Sequence, residues 1–122
     1  MLNFPPGVRI YAFATPCDMR KQIDGLAALV QHQLGHDPQS GHLFLAFNRR
    51  GDMVRLLFWD ANGFCLVTKR LERGRFYMPW DDTEATGALE LDATELGRIL
   101  EGVELRKTRL RGSSKTSNSR AE

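Results

Sequence analysis

The chain has 122 residues, with 42% hydrophobic and 26% charged, which fits one ordinary globular domain with a modest core. The longest uncharged apolar runs, Leu26 to Val30 and Leu43 to Phe47, fall far short of the roughly 20 residues a spanning helix needs. The start, MLNFPPGVRI, carries no legible signal peptide, and the two cysteines, Cys17 and Cys65, allow at most one bridge; both features predict a cytoplasmic protein with idle thiols. The net charge of +2 conceals segregation. Residues 49–75 hold seven basic and three acidic residues, residues 81–104 hold eight acidic residues and Arg98, and residues 106–122 hold six basic residues and Glu122. Such blocks can steer charged partners in a way that an even mixture cannot.

In chain order, Val8 to Ala14 is β-branched and aromatic enough for a strand leaving the stiff Pro5-Pro6-Gly7 turn. Asp18 is placed to cap a following helix, because Met19, Ile23, Leu26, Val30 and Leu34 recur at helical intervals. Gly35 is the expected stop, and Gly25 inside the helix marks close packing against a neighbour. Three strands follow at His42–Asn48, Met53–Asp60 and Phe64–Leu71. Arg49-Arg50-Gly51 reads as a three-residue hairpin loop with Gly51 left-handed, and Asn62-Gly63 as a two-residue loop. That second loop sets a register: Trp59 faces Leu66, Leu57 faces Thr68 and Arg55 faces Arg70, while Phe58, Leu56 and Val54 lie beside Val67, Lys69 and Leu71. Both faces of this antiparallel meander are mostly apolar. The helix covers one, and the other requires the C-terminal segment or a second molecule.

Arg75 to Trp80 suggests a last short strand ended by Pro79, and residues 81–87 an acidic surface loop. Leu91 to Leu100 reads as a short helix with Asp92 and Glu95 forming a capping box. Val103 and Leu105 suggest a docked strand or turn. From Arg106 onward the composition predicts a basic disordered tail. The expected architecture is therefore α+β: an antiparallel β-meander with one long helix packed on it and a short C-terminal helix, in a single domain over 1–105 with a tail over 106–122.

Several segments then stand in a specific order: Val8-Arg9-Ile10-Tyr11, Cys17-Asp18-Met19-Arg20-Lys21, Asp24 to Val30, Ser40-Gly41-His42-Leu43-Phe44, Asn48 to Asp52, Trp59 to Cys65 and Lys69 to Phe76. In this order they closely resemble the Orf2-like accessory proteins, called TnpB, of the insertion-sequence family sixty-six. The RNA-guided nuclease of the same name is unrelated. The resemblance covers residues 4–105. It implies a role in transposition beside a separate transposase, and it brings no catalytic residues to carry over.

The residues themselves point to anion binding. Arg49 and Arg50 sit at a hairpin tip, Arg55 and Arg70 are expected to oppose one another, and Lys69, Arg73 and Arg75 lie close by. Like charges directly opposed across strands are destabilising, and a phosphate relieves them. Arg106, Lys107, Arg109 and Arg111 in the tail suit phosphate contact without sequence readout. The competing view is that these arginines are solvated or pair with Asp52, Asp60 or Glu72. The acidic block and Trp80 after Pro79 instead suit a protein partner, such as the transposase or a second copy, and then the chain is an adaptor that never touches DNA. An RNA-binding module is a weaker third reading, because Phe58, Trp59 and Phe64 look like core residues. His32, His36 and His42 lack the clustering of a metal site, and no nucleophile elbow or phosphate loop is present. The expectation is a protein with no cofactor and no catalysis.

Overall fold

The structure, a computed structural model, describes residues 7–76 and 87–101. The strands are β1 (Ile10–Phe13), β2 (Leu43–Phe47), β3 (Met53–Asp60), β4 (Gly63–Arg70) and β5 (Ala88–Leu91). They form one mixed sheet in the order β4-β3-β2-β1-β5. β2, β3 and β4 are the antiparallel meander the sequence predicts. β1 joins it in parallel, with Ile10 beside Leu43, and β5 closes the other edge antiparallel to β1. The sheet is therefore wider than a meander and mixed in direction.

Helix α1 (Ile23–Leu29) crosses from β1 to β2 and runs on as a single π-helical turn, Val30–Leu34, ending at left-handed Gly35 with φ 71°. It begins later than the apolar stripe suggests. Asp18 caps a turn instead of the helix: its carboxylate accepts the Arg20 backbone N–H at 2.9 Å, and its carbonyl accepts the Lys21 N–H at 3.1 Å. At Gly25 a Cβ would lie 3.1 Å from the Lys21 Cβ, a close approach to the turn just before the helix that glycine accommodates without any shift.

Each face of the sheet is covered. α1 and the π-helical turn that extends it lay Leu26 and Val30 on Phe13, Phe44, Ala46 and Leu57. Helix α2 (Ala93–Glu101) lays Leu96 and Ile99 on the opposite face, over Ile10, Leu43, Leu45, Val54 and Leu56. The C-terminal segment is thus what covers the second apolar face. The Asp92–Glu95 capping box is formed as the sequence implies: the Asp92 N–H donates to Glu95 at 2.8 Å and the Glu95 N–H to Asp92 at 2.7 Å. Replacing Asp92 by alanine is expected to lower stability by about 1 kcal/mol, read as a reduced midpoint in urea with an unchanged slope.

The β3–β4 register differs from the expected one. Asp60 pairs with Gly63, so the loop is Ala61-Asn62, and Trp59 faces Phe64, Leu57 faces Leu66 and Arg55 faces Thr68. Ala61 takes a left-handed φ of 58°, and the Asn62 N–H closes the turn on the Asp60 carbonyl at 2.6 Å. A left-handed alanine costs about 1–2 kcal/mol. Cross-strand packing offsets it. The observed register puts Leu56 against Val67 and Leu57 against Leu66, where the expected one opposed them to Lys69 and Thr68. It also sets Trp59 edge-on to Phe64, with ring centroids 5.0 Å apart. Each such pair is worth about 0.2–1 kcal/mol. Because the displacement is two residues, every side chain keeps its predicted face and only its partner changes.

The expected Arg75–Trp80 strand is not present at Arg75 and Phe76, which are irregular; its remaining residues, the 81–86 stretch, Val103, Leu105 and the tail lie outside the described residues. Within the described residues, no helix is long and apolar enough to cross a membrane.

Candidate nucleic-acid interface

Three separate segments meet at one end of the sheet. The first is the β2–β3 turn, held by the Asn48 side chain: its amide oxygen accepts the N–H of Gly51 at 2.9 Å and of Met53 at 3.1 Å, and its amide nitrogen donates to Asp52 at 2.6 Å. Gly51 is left-handed with φ 80°, as expected, but the Asn48 N–H donates to the Met53 carbonyl at 3.1 Å, so the loop holds four residues, 49–52, and not three; Arg49 and Arg50 stand exposed on the turn. The second is the chain leaving β4. It folds back so that the Leu71 N–H donates to the Asp52 carbonyl at 2.8 Å and the Phe76 N–H to the Gly51 carbonyl at 2.7 Å. Phe76 is fully buried beside Phe47, and Arg75 lies across Gly51, where an added Cβ would be 2.9 Å from its Nε. The third is the β1–α1 connection. Parallel pairing delivers it to the same end, and the Cys17 N–H donates to the Phe47 carbonyl at 2.7 Å.

This convergence sorts the cations that the sequence proposes. Arg49, Arg50, Arg70 and Arg73 are exposed at this end, and Arg75 is half-buried there. Arg55 does not oppose Arg70. It faces Thr68 across the sheet, while Arg70 faces Met53. The Arg55 guanidinium tucks beneath the start of α1, donating from Nη1 to the Lys21 carbonyl at 2.6 Å, with Nε buried and unpaired among the described residues. Lys69 points to the other face, where its ammonium donates to the Leu100 carbonyl and so caps the C-terminal turn of α2. Arg55 and Lys69 are committed internally, and Arg55 and Arg70 do not form the opposed pair of like charges that the sequence suggested. Arg106, Lys107, Arg109 and Arg111 lie outside the described residues.

Two cations absent from the sequence-based set, Arg20 and Lys21, also stand at this end, because sequence reasoning could not see that β1 and β2 run parallel. Arg20 is tied to Asp18, 2.8 Å away. Its hydrogen bonds hold the Asp18 carboxyl down at about 2, so the pair stays ionised and mutually satisfied. Asp52 is also held below its usual range, first by the Asn48 amide and then by the charges of Arg50 and Arg70.

Between the β1–α1 connection and the β2–β3 turn lies a cleft of about 580 Å³, lined among others by Cys17, Met19, Arg49, Arg50 and Met53. Burial pushes the Cys17 thiol up to about 11. Only the thiolate is nucleophilic, so Cys17 is neutral and slow to react near pH 7. In a Cys65→Ser background, its alkylation by iodoacetamide is expected to quicken about tenfold per pH unit up to pH 10. A rate that levels off near pH 8.5 would contradict the buried setting.

The family model described as IS66 Orf2 like protein matches residues 8–110. The chain belongs to that family. The match runs past Leu105 into the basic segment and takes in Arg106, Lys107 and Arg109. Among similar proteins are two from Sinorhizobium fredii. Uncharacterized protein y4hO is 36% identical over 106 residues, covering 87% of this chain and 90% of its own length. Uncharacterized protein y4jC is 35% identical over 104 residues, covering 85% and 86%. No solved structure matches. Membership of the IS66 Orf2-like family associates the chain with transposition of an insertion sequence.

Proposed function

We propose that this IS66 Orf2-like protein is a non-catalytic accessory factor that contacts the DNA of its insertion sequence through the basic end of the sheet. One observation carries the reading. The return of residues 71–76 onto the β2–β3 turn gathers Arg70, Arg73 and Arg75 beside Arg49 and Arg50, with Lys21 arriving from the third segment. Asp52 and Glu72 are the acidic residues on these segments that are not already committed to Arg20. Exposed guanidinium groups in such a group match the repeated phosphates of a duplex, and they position DNA without reading bases. α2 ends with its Leu100 carbonyl on the Lys69 ammonium, so the last turn of this helix lies near the basic end. The reading assigns this protein no bond-making step, and it keeps the transposase as a second partner.

The test is a titration of element-end duplex against the full chain at several salt concentrations. With four or so phosphate contacts, log K is expected to fall with log salt at a slope of about −3.5. Absence of binding at 50 mM salt, with the transposase co-purifying instead, would replace this reading by the adaptor one.

A further inference from the structure

The cleft beside the β2–β3 turn has a chemistry that phosphate contact does not use. Its floor is apolar, made by Pro16, Cys17, Met19 and Met53, all half-buried. Its rim carries Arg49 and Arg50, both exposed and in no ion pair among the described residues. The other polar groups lining it are already engaged: the Asp18 carboxylate by Arg20, and the Asn48 amide by Gly51, Met53 and Asp52. Cys17 packs from this floor against the core under α1, and that burial raises its thiol. An apolar floor with two cations at its rim suits an apolar group joined to an anion.

We propose that this cleft takes the base of an unpaired nucleotide at an end or junction of the element DNA, with the adjoining phosphate held by Arg49 and Arg50. The inference rests on the DNA reading and deepens it. A volume of about 580 Å³ falls in the range of small-ligand sites. Methionine sulfur against an aromatic ring is favourable, and arginine planes stack on bases while binding phosphate. A base inside a duplex cannot reach the floor without being unstacked, a cost that an already unpaired nucleotide avoids. A carboxylate-bearing peptide would also fit the rim. However, the neighbouring Arg70, Arg73, Arg75 and Lys21 extend the positive charge well past one anion, which favours a polyanion.

The experiment compares three duplexes of element-end sequence by fluorescence anisotropy: blunt, with a two-nucleotide overhang, and with the same overhang made abasic, each overhang in both polarities. The base-bearing overhang is expected to bind about tenfold tighter than the abasic one in at least one polarity, and to slow alkylation of Cys17 in the Cys65→Ser background. Met53→Ser is expected to erase the difference and Met53→Leu to keep it. Equal affinity for the two overhangs, without protection of Cys17, overturns this inference and leaves duplex contact standing. Failure to bind any of the three overturns both. Protection of Cys17 by an acidic transposase peptide, with no preference for the bases, would assign the cleft to a protein partner and overturn the inference as well.

Discussion

Replacing Phe76 by alanine is expected to cost about 3–5 kcal/mol and to weaken DNA binding in whatever fraction remains folded. Phe76 has no solvent exposure and lies among Phe47, Val54, Leu56 and Ile99, under α2. Its ring meets Phe47 edge-on with centroids 6.0 Å apart. Truncation removes a whole aromatic side chain from that layer and leaves a void that a sheet and a capped helix cannot close. The local consequence is separate. Phe76 pins the 71–76 segment to the Gly51 carbonyl, and that segment holds Arg75 over the turn and carries Arg73. Phe76→Leu keeps an apolar anchor and is expected to lose far less, in both the urea midpoint and DNA affinity. An alanine variant as stable as the parent would mean that the segment is not docked as described.

Much of this fold can be read in the sequence, where local chemistry decides the outcome. Gly51 takes its left-handed place in the β2–β3 turn, although that loop holds four residues, 49–52, and not the expected three; Gly35 ends the helix, and Asp92 with Glu95 forms the capping box; in each case the side chain or positive φ does the work within four residues. What escapes the sequence is non-local. β5 is four residues, Ala88–Leu91, two of them alanine and glutamate, which strands disfavour, and it exists because β1 offers an edge. The β3–β4 register depends on apolar pairs across the strands, which override the Asn62-Gly63 turn signal at the expense of a left-handed Ala61. The site shows the same division. A hairpin tip is legible, so Arg49 and Arg50 were identifiable. Arg55 and Lys69 carry the same charges in the same stretch, yet one lies under α1 and the other caps α2, and neither fate has a signature in the sequence because each needs a helix from elsewhere.

That division gives the sharpest test of the interface. Arg49→Ala with Arg50→Ala is expected to weaken binding of element-end duplex on the order of thirtyfold near 100 mM salt, taking about 1 kcal/mol for each exposed contact, and to flatten the salt slope by about two. Both side chains are exposed, so the thermal midpoint should barely move. Arg55→Met should behave in the opposite way. Arg55 is half-buried, and among the described residues its guanidinium makes one bond, to the Lys21 carbonyl, and leaves Nε unpaired. An unsatisfied buried donor costs about 1–3 kcal/mol, and an apolar side chain of similar length restores the packing against α1. The loss of one hydrogen bond is then offset by removal of the orphaned donor, so stability is expected to stay within about 1 kcal/mol. DNA affinity should change less than twofold, because Arg55 turns inward. If Arg55→Met abolished binding while Arg49→Ala with Arg50→Ala did not, the DNA surface would lie on the sheet face beneath α1 instead of at the β2–β3 turn.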